Sequence, residues 1–310
     1  MPGTLDDNAV EKLIKAGRIA ERVREEAARL VRPGETARSI CERLEEYTRE
    51  LGGEPAFPCN FSVNHVAAHY TPALGSDVTL KGDEVVKVDV GVHVDGYIAD
   101  TAVTVDLSGR YEKLLEASRA GLEAAMKTIR PGVSLLELGR RIEAAVKSHG
   151  YKVIRNLTGH TIDRYTIHAG LSIPNYPDRS AAIFRLRPGM VVAIEPFATN
   201  GRGLITETRQ VTIYAYTGKT PRRAALTGEE ARLLEEVKRR FHTLPFTPRW
   251  LEGEWDGEKL DSMLKRMASR GVLHSYPVLV EAGRGMVSQF EHTFIILKDD
   301  VIVTTCSSCQ

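Results

Sequence analysis

No apolar run in the chain approaches the ~18 residues that a membrane-crossing helix requires, so a helical membrane protein is not expected. Charge of one sign is also lacking. Forty-two basic residues face 41 acidic ones for a net charge of +1, so no overall field draws the molecule to nucleic acid or an anionic membrane. The 4 cysteines are too few for a disulfide scaffold in 310 residues. Cys41 falls in a helical pattern and Cys59 reads as a loop residue, while Cys306 and Cys309 form a C-x-x-C near the C-terminus. Without a second pair that motif is weak evidence for structural zinc, which leaves free thiols or one disulfide. Glutamine occurs only at Gln210, Gln289 and Gln310, and scarce amides beside abundant Arg and Glu fit a heat-adapted source. Met1–Val10 carries Asp6 and Asp7 and no apolar stretch, so no secretory signal and a cytoplasmic location are expected.

What is present supports a large core. Hydrophobic residues make up 42% and charged residues 27%, over about twice the ~150-residue length of a common domain. The sequence also repeats itself. Arg32-Pro33-Gly34-Glu35-Thr36 precedes a helical pattern of Ile40, Leu44, Tyr47 and Leu51; Arg130-Pro131-Gly132-Val133-Ser134 precedes Leu135, Leu138, Ile142 and Val146. Thr36 and Ser134 stand where an N-cap belongs, and amphipathic stretches over 8–31 and 111–129 precede the two turns. Downstream, Val85-Val86-Lys87-Val88-Asp89 echoes Val191-Val192-Ala193-Ile194-Glu195, each entered through a glycine. Each half therefore reads helix, helix, then a strand that runs to a carboxylate. Two copies cannot stack as a solenoid, so a pseudo-two-fold domain with a cleft at its axis is expected. Residues 219–275 interrupt the pattern with a charged helix from Thr227 and a second over 258–268, a helical insertion between strands of the second half.

Val88, Val90, Val92 and Val94 alternate with Asp89, Gly91, His93 and Asp95, the period of a strand. Asp95-Gly96 is a two-residue type I′ hairpin signal. That turn sets Val94 opposite Tyr97 and Gly91 opposite Asp100, which makes Asp89 and Asp100 diagonal neighbours on one face, about 7 Å apart. Two carboxylates meeting among valines repel unless a cation lies between them. Further ligand-type side chains stand in strand-like company at Glu195 and Glu291, with His160, His168 and His69 nearby in motif-like strings. Four carboxylates and an imidazole suit two divalent ions better than one zinc in a Cys or His tetrad.

These residues, with Gly159-His160, Tyr165-x-Ile167-His168-x-Gly170 and Ala67-Ala68-His69-Tyr70-Thr71-Pro72, resemble the type 2 methionine aminopeptidases over nearly the whole chain. The spacing of Glu195 and Glu291 accommodates the insertion of the type 2 class, and the short N-terminal region is similar to archaeal members. The resemblance implies an α+β pita-bread fold, a single catalytic domain over 1–310 built as duplicated halves around a curved antiparallel sheet. It implies that Asp89 binds one metal, His160 and Glu195 the other, and that Asp100 and Glu291 bridge them. The ions would be cobalt, manganese, iron or zinc. The implied reaction is attack of metal-activated hydroxide on the first peptide bond of nascent polypeptides that begin with methionine and a small second residue. Glu195 would double as proton shuttle, His168 would donate to the carbonyl oxygen, and His69 would act near the substrate nitrogen. Phe57 and Ile167 match pocket positions, and Phe57 reads equally as core. The alternatives are an X-Pro peptidase of the same fold and a non-catalytic relative that binds RNA or protein. Lys238-Arg239-Arg240 reads as a solvated helix face, with a ribosome contact as the functional alternative; a monomer is the default state.

Overall fold

The computed structural model describes residues 5–75, 77–219 and 226–309. Helices α1 (Asp7–Leu30) and α2 (Ala37–Glu50) lead into strands β1 (Glu54–Val63), β2 (Val66–Ala68), β3 (Val85–Val94) and β4 (Tyr97–Asp106). The second half repeats the order. Helices α3 (Glu112–Thr128) and α4 (Leu135–Ser148) precede β5 (Lys152–Val153), β6 (Thr158–Ile162), β7 (Ser172–Pro174), β8 (Val191–Ile194), β9 (Phe197–Thr199) and β10 (Ile205–Tyr216). After α5 (Gly228–Phe241), β11 (Pro245–Phe246) and α6 (Gly257–Ser269), the chain returns through β12 (Leu273–Glu281), β13 (Val287–Gln289), β14 (His292–Ile296) and β15 (Val301–Val303).

The duplication extends to single hydrogen bonds. Thr36 accepts from the Ser39 amide and Ser134 from the Glu137 amide, both at 3.2 Å, so each hydroxyl caps its helix. The glycines of the two Arg-Pro-Gly turns sit at φ of 91° and 80°, in the left-handed region that costs other residues most. The amide of Gly34 donates to Leu80 O and that of Gly132 to Leu186 O, both at 2.8 Å. A repeated sequence thus builds a repeated corner, and each corner feeds a strand that carries a carboxylate.

Pairing is antiparallel throughout the described ladders. The expected curved sheet is divided into four, with strand orders β1-β3-β4, β11-β10-β12-β2, β13-β9-β5 and β15-β14-β8-β6-β7. Helices α1 and α2 bury Val23, Ala27, Ile40 and Leu44 against Phe61, Val88 and Val90; Leu138 and Ile142 of α4 pack with Val192, Ile194 and Phe294 in the second half. The Asp95-Gly96 turn has positive φ at both residues (52° and 86°), and the register is the expected one, with Gly91 opposite Asp100.

Cys59 is a correction to the sequence reading. It lies inside β1, buried on both faces, rather than in a loop. Pro55 and Pro58 obscure that strand because proline demotes a strand pattern, and the ladder with β3 accommodates them through register shifts on either side of Phe57. Glu291 stands in the two-residue break between β13 and β14, adjacent to a strand rather than within one, and pairs across to Ala102. Cys306 and Cys309 are joined in a disulfide, whereas Cys41 and Cys59 are free and buried.

Residues 219–275 contain α5, β11 and α6, with their own apolar cluster of Leu233, Val237, Phe246, Leu260 and Leu264. Thr227 and Glu230 form a reciprocal capping box at the start of α5. Lys238 pairs with Glu235 at 2.9 Å, Arg239 with Glu236 at 3.2 Å and Arg240 with Glu254 at 2.8 Å, the pairing expected of a solvated helix face. The segment is fixed to α2 by a buried fork. Arg249 donates to both Glu45 oxygens at 2.9 and 2.7 Å, and Trp250 Nε1 adds a third bond at 2.7 Å. Among the described residues no helix is long and apolar enough to cross a membrane.

Breaking a buried ion pair strands the surviving charge and costs about 3–5 kcal/mol. Glu45→Ala leaves Arg249 with Glu42 at only 3.9 Å, and a loss of that order is expected in guanidinium unfolding. A loss near zero would show that other contacts anchor the segment.

Candidate metal centre

The hairpin of β3 and β4 places Asp89 and Asp100 at the seam where the two halves meet. From the other side, β6 supplies His160, the end of β8 supplies Glu195, and the break after β13 supplies Glu291. His160 Nε2 lies 3.6 Å from an oxygen of Asp100 and 3.6 Å from an oxygen of Glu195. Asp100, His160 and Glu291 each offer a ligand atom within 4.8 Å of the others. All five side chains expected to hold metal therefore converge. Threonine hydroxyls join the seam. Thr293 Oγ1 accepts from the Asp100 amide at 2.7 Å and donates to the Asp100 carbonyl at 2.8 Å, Thr101 Oγ1 donates to Glu291 O at 2.7 Å, and Thr104 Oγ1 donates to Gln289 O at 2.6 Å.

The electrostatics of this cluster ask for a cation. Burial raises Asp89 to about 7. Burial pushes Asp100 well above the carboxylate range, and the charges of Glu291 and Asp89 push it further. Glu195 is raised by burial and then by Asp100 and Asp89, and Glu291 by burial and then by Glu195 and Asp89. Asp89 Oδ1, Asp100 Oδ1 and Glu291 Oε1 are buried without a hydrogen-bond partner. A buried carboxylate oxygen without a donor is costly, and divalent ions satisfy several such oxygens at once. The residues fit a group of that kind.

Sequence reasoning missed Gln289. Its side-chain amide donates to Glu195 at 3.3 Å and to Glu291 at 3.2 Å and so orients two carboxylates from beneath. Two signals pointed to it: the scarcity of glutamine, and its period-2 spacing from Glu291. Tyr276 was also missed, and its ring meets His69 at 5.3 Å and His168 at 6.0 Å.

A cavity of about 710 Å³ opens above the cluster, lined by Phe57, His69, Asp89, Asp100, His160, Ile167, His168, Glu195 and Tyr276. Phe57 and Ile167 belong to a core cluster and line this cavity at the same time. Burial, then the neighbouring His168, lowers His69 to about 4; burial, then His274, lowers His168 to about 4. Both rings are therefore neutral at pH 7 and carry one N–H each. His69 sits at φ 64°, a strained setting that a packed wall sustains. Gly91 explains how Phe57 reaches the cavity, since a Cβ there would lie 2.2 Å from the Phe57 ring.

The sequence model of metallopeptidase family M24 matches residues 11–296. The chain belongs to metallopeptidase family M24. Its relatives include the methionine aminopeptidase of Pyrococcus abyssi, 49% identical over 96% of this chain and 99% of that one. Those of Methanocaldococcus jannaschii (44% identical, 95% and 98% covered) and Saccharolobus solfataricus (41%, 98% and 100%) are similar over the same extent. Among solved structures, the methionine aminopeptidase of Thermotoga maritima superposes with a TM-score of 0.70 at 24% identity, covering 98% of this chain and 99% of that one. A thermophilic Arx1 superposes with a TM-score of 0.85 at 19% identity, covering 97% and 91%. At such identities the likeness is one of fold, and the shared fold is the pita-bread. The M24 membership makes divalent metal use a family property of this chain.

Metal binding to carboxylates held partly protonated must displace protons. Because Asp89 titrates near 7 without metal, manganese affinity is expected to rise with pH through about 7, with protons released on binding. Calorimetry in buffers of different ionisation enthalpy reads both; a pH-independent affinity would rule out the raised cluster. Gly91→Ala is expected to drive the Phe57 ring into the cavity and raise KM more than it lowers kcat.

Proposed function

We propose that this chain removes the N-terminal methionine from nascent polypeptides whose second residue is small. The observation that carries this reading is the buried cluster of four carboxylates and one imidazole on the floor of a cavity walled by two neutral histidines. Asp89, Asp100, His160, Glu195 and Glu291 would hold two divalent ions, cobalt, manganese, iron or zinc. When bound, such ions supply Lewis acidity and water activated near neutral pH.

The chain's own residues have the remaining tasks. The Glu195 carboxylate takes the proton of the attacking water and passes it to the leaving nitrogen. His168, held neutral, donates its N–H to the carbonyl oxygen as negative charge develops there. His69, on the adjoining wall, faces the substrate nitrogen. Phe57 and Ile167 offer apolar surface to an unbranched thioether, the side chain that best adapts to such a slot. The same centre would also take the free α-amine of a peptide as a ligand, which accounts for action at the terminus rather than within the chain.

Incubation of manganese- or cobalt-loaded protein with Met-Ala-Ser and with an X-Pro peptide tests the reading. Release of methionine alone is expected; cleavage of X-Pro alone would make the chain a proline-directed enzyme, and cleavage of neither a binding protein. Asp100→Ala should abolish turnover and lower the number of manganese ions bound, as read by calorimetry. His168→Ala should lower kcat by about 100-fold or more while leaving metal stoichiometry intact.

A further inference from the structure

The disulfide Cys306–Cys309 spans three positions in the last turn of the chain, just beyond β15, with a Cα–Cα distance of 5.4 Å. A cross-link that closes so short a loop constrains the unfolded chain least, so it is a poor staple. Its setting is instead partly open. Cys306 is buried, but Cys309 is half-buried and Ser307 and Ser308 between them are exposed. Cys41 and Cys59 are buried within the fold, and a hydrogen bond with Cys41, then burial, raises the Cys59 thiol well above its usual range.

The tail that this disulfide shapes is bonded to the strands beneath the metal centre. The amide and hydroxyl of Ser307 donate to Glu21 at 2.7 and 2.9 Å, holding the turn against α1. Arg24, also on α1, donates to Thr305 O at 2.9 Å and to Thr101 Oγ1 at 2.7 Å. Thr305 Oγ1 accepts from the Thr293 amide at 3.2 Å, and Thr293 Oγ1 is the hydroxyl that bonds both backbone groups of Asp100. Thr305 directly precedes Cys306, so the disulfide adjoins this chain of bonds.

We propose that Cys306 and Cys309 form a reversible thiol–disulfide site for dithiol reductants, whose oxidised state holds the Thr305–Thr293 brace on Asp100 and whose reduced state loosens it. In the exchange, a thiolate of the reductant attacks one sulfur and expels the other as a thiolate. The second thiol of the reductant then resolves the mixed disulfide, so two electrons and two protons pass to Cys306 and Cys309 while the reductant closes its own disulfide. That the brace bears on catalysis rests on the peptidase reading above; the site and its coupling to Asp100 do not.

The test uses the full metal-free chain and reduced dithiothreitol, read by alkylation with mass spectrometry and by amide hydrogen exchange. Without reductant, unfolding should expose only Cys41 and Cys59 to alkylation. Dithiothreitol on the folded protein should add Cys306 and Cys309 alone, and exchange at the Asp100 and Thr293 amides should quicken several-fold. The Cys306→Ser, Cys309→Ser double variant should exchange as the reduced protein does. Alkylation of Cys306 and Cys309 without reductant, or their resistance to it in the folded state, would overturn the site. Unchanged exchange at Asp100 and Thr293 after reduction would overturn the coupling. None of these readings requires peptidase activity, so failure of the proposed function would leave them standing.

Discussion

Four carboxylates buried around one neutral imidazole cannot all carry charge in a low-dielectric setting unless a cation joins them. Most of the features that distinguish this structure serve to bring those side chains together. The strands around the centre are apolar on their far sides, the threonines of the seam satisfy the backbone groups that a divided sheet leaves open, and Gln289 ties two of the acids from below. The same burial that raises the acids lowers the histidines. One physical cause thus produces both a cation trap and a pair of neutral N–H donors beside it.

The duplication explains how so dispersed a set of residues meets. Each half delivers two helices and a valine-rich strand to the axis, and the carboxylate of each strand arrives there because the two corners are built alike, down to the same glycine-to-leucine hydrogen bond. A pseudo-symmetric scaffold makes equivalent positions face each other. The insertion breaks the symmetry, and its buried Arg249–Glu45 fork ties it to the first half across the molecule. Its clustered cations are neutralised by neighbouring glutamates.

Fold alone does not fix an activity, because one architecture can carry different sites. Here individual atoms define the site: oxygens without donors, an imidazole at 3.6 Å from two acids, and apolar side chains that are core on one side and cavity wall on the other.

By itself the sequence determined what depends on neighbours along the chain. The Asp95-Gly96 turn dictated the hairpin register, and with it the meeting of Asp89 and Asp100; capping hydroxyls and Pro-Gly turns marked the helix starts of both halves. Glu195, Glu291 and His160 could be named from their motifs, but only the tertiary structure brought them within reach of the hairpin, because their approach is set by packing between halves. It alone decided that Cys59 lies in a strand, that Glu291 occupies a break, that Gln289 holds two acids and that Cys306 meets Cys309. Local rules rest on backbone torsions and period, which the chain spells out residue by residue. Convergence rests on which buried surfaces pack together, and that is a property of the whole fold.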